Sequence, residues 1–293
     1  MIEKRLIQWY AANSGVDLDI AEREVVLTYV MKVLSDAGIL SHLAFKGGTA
    51  IRKIFLGNQG RFSLDLDFTM VSDLGPEEFV LDIVSALLNQ EHYGITFAIR
   101  SEDYYANPDS CGVVVSYQHE WTTTGNFSIQ VSFRAKPVLP VQPAGFIKER
   151  YFQWLGIDPP LVPTLDLHEI IGEKIRATAQ RSRIRDLYDL YQFTSLRFDR
   201  SMVRRIAILK CWETNFSLDP VAFLHALAEK KYDWADLERL VRQKHILTPE
   251  AIFKKLQQDY RFLAEMDADE AVLSSDPYRR ERAIYQRVLA SCK

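Results

Sequence analysis

The chain has 293 residues, of which 47% are hydrophobic and 26% are charged, and its formal net charge at pH 7 is −3. A chain of this length and composition can bury a substantial core, as one large domain or as two smaller ones. No segment approaches the roughly 18–20 apolar residues of a membrane span, no signal-peptide core follows the first residues, and the charge balance argues against indiscriminate nucleic-acid binding.

The chain begins with helical patterns. Apolar residues recur at helical spacing over 3–13 and 18–37, and Gly38 ends the second pattern. We therefore assign residues 1–40 to an N-terminal helical lead-in.

A candidate phosphate-binding turn follows the lead-in. A short apolar strand over 42–46 leads into Lys46-Gly47-Gly48-Thr49, and a helix is predicted to begin near Thr49. Two glycines let the backbone approach a ligand closely, and the start of a helix presents free N–H groups to an anion. Lys46 adds positive charge, and Thr49 can either cap the helix or bind a phosphate oxygen. The alternative is an ordinary tight turn, and the spacing of a Walker loop is missing.

The most informative segment is the next predicted strand, over 63–70. From Phe62 to Met70 apolar residues alternate strictly with polar ones, which is the period of a strand with one buried face. Asp65 and Asp67 share the polar face, where they would stand about 6–7 Å apart. Their repulsion is about 2–3 kcal/mol at an effective dielectric constant near 20, and a divalent cation between them would relieve it. Such an oxygen-rich pair suits Mg²⁺, although a solvated edge strand is the alternative.

The middle of the chain predicts the rest of a small mixed sheet. A helix over 76–90 begins after Pro76, and strand patterns follow over 94–100, 112–119 and 126–134. Prolines between 137 and 163 predict an extended connection, and the patterns beyond 165 are nearly all helical. We predict a core over 41–145 and a helical lobe over 146–293.

A third candidate cluster lies in this helical part. Lys174 falls on the apolar side of a helix, where an ammonium group is costly unless something pairs with it. Asp186, Asp189 or a bound phosphate would be a suitable partner. The alternative is a salt bridge that only joins two packed helices.

Together these motifs resemble the AbiEii family of nucleotidyltransferase toxins, which includes the MenT toxins. The resemblance rests on Lys46–Thr49, on the Ser63-x-Asp65-x-Asp67 strand and on two downstream segments, Glu173–Ala177 and Arg185–Asp189. It implies an α+β fold with a polymerase-β-like nucleotidyltransferase core and a C-terminal helical lobe. It also implies a toxin of a type IV toxin–antitoxin or phage-defence system. Several relatives add nucleotides to the tRNA 3′ end and so block translation, and the resemblance implies the same activity here.

The resemblance also assigns roles to residues. It implies an Mg²⁺-dependent enzyme that uses an NTP, with a cognate antitoxin encoded nearby. The catalytic residues would be Asp65, Asp67, Lys174 and Asp189, and the first two would bind the metal. The nucleotide would be bound by Lys46, Gly47, Gly48, Thr49 and Ser63. Ser63 has a second interpretation, because a serine at this position can be phosphorylated by an antitoxin kinase in such toxins.

Nucleotidyltransferases of this superfold commonly carry a third acidic residue on a later strand of the core, and this chain departs from that pattern. The central polar residue of the candidate strand is Gln130, a poor general base, and Glu120 or Asp189 is a possible replacement. For the RNA acceptor, the best candidates are the arginines near the third cluster, Arg176, Arg181, Arg183 and Arg185.

Two other function classes stay open. A nucleotidyltransferase that modifies a small molecule, such as an aminoglycoside, would use the same aspartates but an acidic acceptor pocket. A non-catalytic nucleotide-binding toxin would explain the missing third carboxylate. The three cysteines are odd in number and lack metal-type spacing, so we expect a reduced, cytoplasmic setting without a membrane partner.

Overall fold

The computed structural model describes residues 2–88, 90–242 and 248–293, and of residues 122–124 only the backbone. The chain forms two compact units. Unit 1 comprises Met1–Pro137, Val141–Leu165 and Arg239–Lys244, and unit 2 comprises Val138–Pro140, Asp166–Glu238 and His245–Lys293. This division differs from the predicted boundaries, since the lead-in helices and the segment up to Leu165 belong to unit 1.

Four helices of unit 1 precede or flank its sheet. Their bounds are α1 (Lys4–Ser14), α2 (Leu18–Asp36), α3 (Gly47–Ala50) and α4 (Pro76–Leu87). A π-helical segment, Ile51–Leu56, continues α3. α2 is buried on most of its surface, and α4 begins at Pro76 because proline already has the backbone angle of a first helical residue. The two predicted lead-in helices are therefore confirmed.

In the part of the chain that the structure describes, nine strands form one mixed sheet. Their bounds are β1 (Leu43–Lys46), β2 (Leu66–Met70), β3 (Glu91–His92), β4 (Ile95–Ala98), β5 (Tyr104–Asn107), β6 (Ser110–His119), β7 (Thr122–Ser132), β8 (Gln142–Ala144) and β9 (Val162–Thr164). The order is β3-β4-β6-β7-β2-β1-β9-β8, and β5 also pairs with β6. At the centre, β2 runs antiparallel to β1 and parallel to β7.

Two predictions about the sheet need correction. The strand predicted over 63–70 begins only at Leu66, so Asp65 lies in a bend before it. The proline-rich segment is not merely a connection, because β8 and β9 extend the sheet beyond β1. Pro143 and Pro163 face each other in this pair. β8 is the edge strand of the sheet, so Pro143 lies where a backbone N–H is not needed for pairing with a further strand.

A buried ionic cluster fixes the loop that leads into β2. The Glu24 carboxylate lies 2.8 Å from Lys53 Nζ and 3.3 Å from Arg52 Nε. Arg52 also donates to the Gly60 carbonyl at 2.7 Å, and its guanidinium lies 3.7 Å from the centroid of the Phe62 ring. Arg52 is 1% exposed. The loop is therefore held by buried contacts from α2 and from the segment after α3.

Unit 2 is helical, as predicted for the chain beyond residue 165. Its helices are α5 (Leu167–Gln180), α6 (Ile184–Phe193), α7 (Arg200–Glu213), α8 (Pro220–Glu229), α9 (Trp234–Glu238), α10 (Pro249–Asp259), α11 (Ala268–Ser274) and α12 (Arg282–Ala290). Asp219 and Thr248 cap α8 and α10 through their side chains. Within the described ranges, no helix is both long enough and apolar enough to cross a bilayer.

Candidate active site

The two glycines of the predicted phosphate-binding turn begin α3 and lie against β2. Gly47 has φ +74°, a conformation that L side chains rarely adopt. A Cβ atom on Gly47 would lie only 2.1 Å from Asp67 Oδ2. Lys46 and Asp67 are also register partners in the β1–β2 pair. Glycine is therefore required at position 47 both by its backbone angle and by the Asp67 carboxylate.

The second glycine lies against two polar side chains. A Cβ atom on Gly48 would lie 2.6 Å from Arg61 Nη2 and 2.7 Å from Ser63 Oγ. Arg61 and Ser63 are each 6% exposed. The resemblance predicts Ser63 at this site, whereas Arg61 is not among the predicted site residues. The signal that could have revealed it is its position, two residues before Ser63, in the same segment as the aspartate pair.

Asp65 is held by residues from two other elements. The Thr49 hydroxyl donates to its backbone carbonyl, and the Ser128 N–H in β7 donates to Asp65 Oδ1 at 3.0 Å. Thr49 is fully buried, and it is not the N-cap of α3, which is Lys46. Of the two predicted roles of the Thr49 hydroxyl, capping is therefore wrong. The contact from Ser128 engages one oxygen of the Asp65 carboxylate and not the other.

The structure thus brings Asp67, Ser63 and the Gly-Gly turn together. Asp65, just before β2, is held by its hydrogen bonds to Thr49 and to Ser128 of β7. Carboxylate oxygens are the ligands that Mg²⁺ prefers. Because Gly47 has no Cβ, the Asp67 carboxylate can occupy the space beside the turn. Among the described residues, no group of three or more His, Cys, Asp or Glu side chains is arranged to hold a metal ion. Any metal here would need further oxygen ligands from a substrate or water.

The predicted position of the missing third carboxylate is occupied by Gln130. It lies beside Asp67 in the parallel β2–β7 pair, and its side chain is exposed. Glu120, one of the suggested replacements, lies in the turn between β6 and β7. Thr122, the first residue of β7, is eight residues before Gln130, and Glu120 precedes Thr122. At about 3.3 Å per residue, Glu120 therefore lies more than about 25 Å from Gln130. The structure rules out Glu120 as a replacement.

Unit 2 contains the predicted lysine cluster. Lys174 Nζ on α5 lies 2.8 Å from Asp186 Oδ1 and 2.8 Å from Asp189 Oδ2, both on α6. Arg181 Nε lies 2.7 Å from the other Asp186 oxygen. Burial alone would raise the pKa of Asp186, but the charges of Lys174 and Arg181 outweigh burial and hold this pKa well below its usual range. The sequence left two aspartates as alternative partners, and Lys174 contacts both.

The predicted RNA-binding arginines differ in their contacts. Arg181 pairs with Asp186, Arg185 Nε lies 2.9 Å from Asp236, and Arg176 donates to Gln180 at 2.7 Å.

Arg183 is the exposed N-cap residue of α6, and its side chain makes no cap hydrogen bond. Lys230 fixes the start of this loop by donating to the carbonyls of Thr178, Ala179 and Arg181. The loop therefore presents Arg183 on a backbone that is held in place.

Comparisons with known proteins point to one family and one fold. The family model described as "Nucleotidyl transferase AbiEii toxin, Type IV TA system" matches residues 29–287. The structure is similar to that of MenT4, a nucleotidyltransferase toxin from Mycobacterium tuberculosis, with a TM-score of 0.83 and 25% sequence identity over 100% of both chains. No curated protein gave a significant sequence match.

Proposed function

The chain belongs to the AbiEii family of nucleotidyltransferase toxins of type IV toxin–antitoxin systems, and on this basis we propose that it transfers nucleotides from an NTP to the 3′ end of tRNA in the cytoplasm and so blocks translation. The observation that carries the proposal is the contact between the Asp67 carboxylate and the glycine turn, with a Cβ on Gly47 falling 2.1 Å from Asp67 Oδ2. In this proposal the carboxylate that would bind the metal lies beside the turn that would bind the triphosphate.

Asp65 and Asp67 are the residues that would hold a magnesium ion. Mg²⁺, when bound, neutralises charge on the triphosphate and aligns it for displacement. The Ser128 N–H orients the Asp65 carboxylate through Oδ1. Asp67 is oriented by the sheet, where Lys46 and Gln130 are its register partners on either side.

The triphosphate itself is assigned to the glycine turn. The backbone of Gly47 and Gly48 has no side chain that would block a phosphate, and the Ser63 hydroxyl lies beside Gly48. Lys46 contributes positive charge. Thr49 acts through its backbone, because its hydroxyl supports the Asp65 carbonyl. Catalysis by these residues is mostly placement and electrostatic stabilisation, as phosphoryl chemistry requires.

Lys174 and Asp189 are proposed as further residues on which the transfer depends. The two contacts of 2.8 Å to Asp186 and Asp189 hold the Lys174 ammonium in one position. In this proposal Lys174 supplies positive charge during the transfer, and Asp189 positions it. The alternative is a salt bridge that only stabilises the α5–α6 pair. An inactive Lys174→Gln variant with unchanged thermal stability would favour the catalytic role.

The partner protein is proposed to be an antitoxin encoded next to this gene, as expected for a type IV system. A direct search is to sequence the neighbouring genes and to co-express each one with this chain. Relief of growth inhibition by one neighbour would identify the antitoxin.

The transfer is tested by incubating the protein with total tRNA, Mg²⁺ and each of the four NTPs labelled at the α-phosphate. We expect label on tRNA with at least one NTP and loss of that label in Asp65→Asn, whose amide oxygen still accepts from Ser128. An aminoglycoside is supplied in a parallel reaction, and label on it instead of on tRNA would show that the acceptor is a small molecule and not RNA. Nucleotide binding without transfer to either acceptor would contradict the proposed activity.

A further inference from the structure

We propose that Arg61 is a catalytic residue that contacts the β- and γ-phosphates of the NTP and stabilises the departing pyrophosphate. This inference rests on the proposed function and adds a residue to it. The two aspartates are anionic and the glycine turn carries no side-chain charge, whereas Arg61 supplies a delocalised cation beside Gly48.

The Arg61 guanidinium lies against the second glycine of the turn. A Cβ on Gly48 would lie 2.6 Å from Arg61 Nη2 and 3.2 Å from Arg61 Cζ, so the planar group lies directly against the turn. Ser63 Oγ lies 2.7 Å from the same point. The hydroxyl and the guanidinium therefore share one side of Gly48, and any side chain at this position would displace them.

Opposite charges lie against the two glycines of the turn. The Asp67 carboxylate lies against Gly47 and the Arg61 guanidinium lies against Gly48. These two glycines are adjacent, and the Cα atoms of adjacent residues are about 3.8 Å apart. The turn is thus flanked by a carboxylate suited to a metal ion and by a guanidinium suited to phosphate oxygens. A metal-bound triphosphate carries the complementary pattern.

Hydrogen bonds and ring contacts hold the segment that carries Arg61. Arg61 Nη1 donates to the Phe62 carbonyl at 3.1 Å, and the Phe62 N–H donates to the Leu240 carbonyl at 2.7 Å. The Arg52 guanidinium stacks on the Phe62 ring at 3.7 Å. Arg61 is 6% exposed, so its side chain is already largely removed from water. Preorganised charge in such a site stabilises a transition state more strongly than charge in water.

Arginine suits this role chemically. Its guanidinium stays protonated and offers several N–H donors in a fixed plane that match phosphate oxygens. In the transfer, the ribose hydroxyl oxygen of the acceptor bonds to the α-phosphorus, and its proton passes to water. The bond between the α-phosphorus and the bridging oxygen breaks, and the electron pair leaves with pyrophosphate. Negative charge grows on the leaving group, where we place Arg61.

The inference is tested with Arg61→Lys, Arg61→Gln and the exposed control Arg100→Gln. Calorimetry in Mg²⁺ would measure binding of the NTP that the wild type transfers best, and of its diphosphate and monophosphate. For Arg61→Gln we expect at least a tenfold loss of NTP affinity, little change in monophosphate affinity, and about a 100-fold loss of transfer rate. Arg61→Lys should recover part of both losses, and Arg100→Gln should match the wild type.

The outcomes separate this inference from the proposed function. Wild-type transfer with unchanged NTP affinity in both Arg61 variants would overturn the role of Arg61 alone. An equal loss of NTP and monophosphate affinity, together with a lower melting temperature, would assign Arg61 a structural role and also overturn the inference. Wild-type protein that neither binds nor transfers any NTP would overturn both.

Discussion

Gln130 in β7 is the register partner of Asp67 in β2, in a parallel pair at the centre of the sheet. Side chains at partnered positions project from the same face, so an amide lies next to the proposed metal carboxylate where a third acid was expected. We predict that Gln130→Asp raises the affinity for Mn²⁺, used as a probe for Mg²⁺, by about tenfold, because affinity increases with the number of charged ligands.

This prediction is checked by calorimetric titration of Mn²⁺ into the wild type, Gln130→Asp and Gln130→Ala. Gln130 is exposed, so neither change should unfold the protein. The alanine variant should bind Mn²⁺ like the wild type. Equal affinity in all three proteins would mean that position 130 does not reach the metal.

Gly48→Ala should weaken nucleotide binding and should also lower the stability of the fold. The new Cβ would lie 2.6 Å from Arg61 Nη2 and 2.7 Å from Ser63 Oγ, and both side chains would have to move. We expect at least a tenfold loss of NTP affinity and a loss of about 1–3 kcal/mol in the free energy of unfolding. Fluorescence-detected NTP binding and urea unfolding measure the two effects.

Gly75→Ala is the matched control for this substitution. A Cβ there would meet nothing within 4 Å, and Gly75 has φ −75°, which alanine adopts without strain. Its free energy of unfolding should stay within about 0.5 kcal/mol of the wild-type value, with unchanged NTP affinity. A folded Gly48→Ala variant that binds NTP like the wild type would refute the assignment of the turn.

Asp186 should make the stability of the protein depend on pH in the acid range. Lys174 and Arg181 outweigh the effect of burial and hold the pKa of Asp186 well below its usual value. The folded state therefore binds fewer protons than the unfolded state. The stabilisation is complete above the unfolded-state pKa of about 4, and it is lost as the pH falls through the lower pKa of the folded state.

Urea unfolding at pH 7, 5, 4 and 3 checks this dependence. Asp186→Asn should be less stable than the wild type by about 1–3 kcal/mol at pH 7, because a buried charged hydrogen bond is lost. The difference should shrink as the pH falls below 4. A difference that stays constant down to pH 3 would show that Asp186 does not titrate as the structure implies.

Arg183 is predicted to contact the RNA backbone. It is exposed at the start of α6, whereas Arg181 and Arg185 pair with Asp186 and Asp236. Arg183→Gln should weaken tRNA binding and reduce the slope of log affinity against log salt by about one, without destabilising the protein. Filter binding at several salt concentrations measures both. Exposed Arg197 is the control, and an equal loss in Arg197→Gln would argue against a specific role of Arg183.

Much of the fold follows from local sequence patterns. Helical periodicity predicts α1 and α2, proline at a first helical position marks α4, and the alternation from Phe62 to Met70 predicts β2 and its buried face. The short strands β8 and β9 were missed because three residues carry no period. Their pairing with β1 depends on contacts with residues far away in the chain.

The same distinction applies to the candidate site. The Gly-Gly turn and the pair Asp65 and Asp67 are evident from the sequence, because glycine freedom and adjacent carboxylates are local properties. The contact between Ser128 and Asp65 spans 63 positions, and the Arg61 guanidinium reaches Gly48 only because buried contacts fix its loop. Sequence alone therefore determined which chemical groups are present, and tertiary packing decided which of them meet, since contacts between distant residues depend on the whole core.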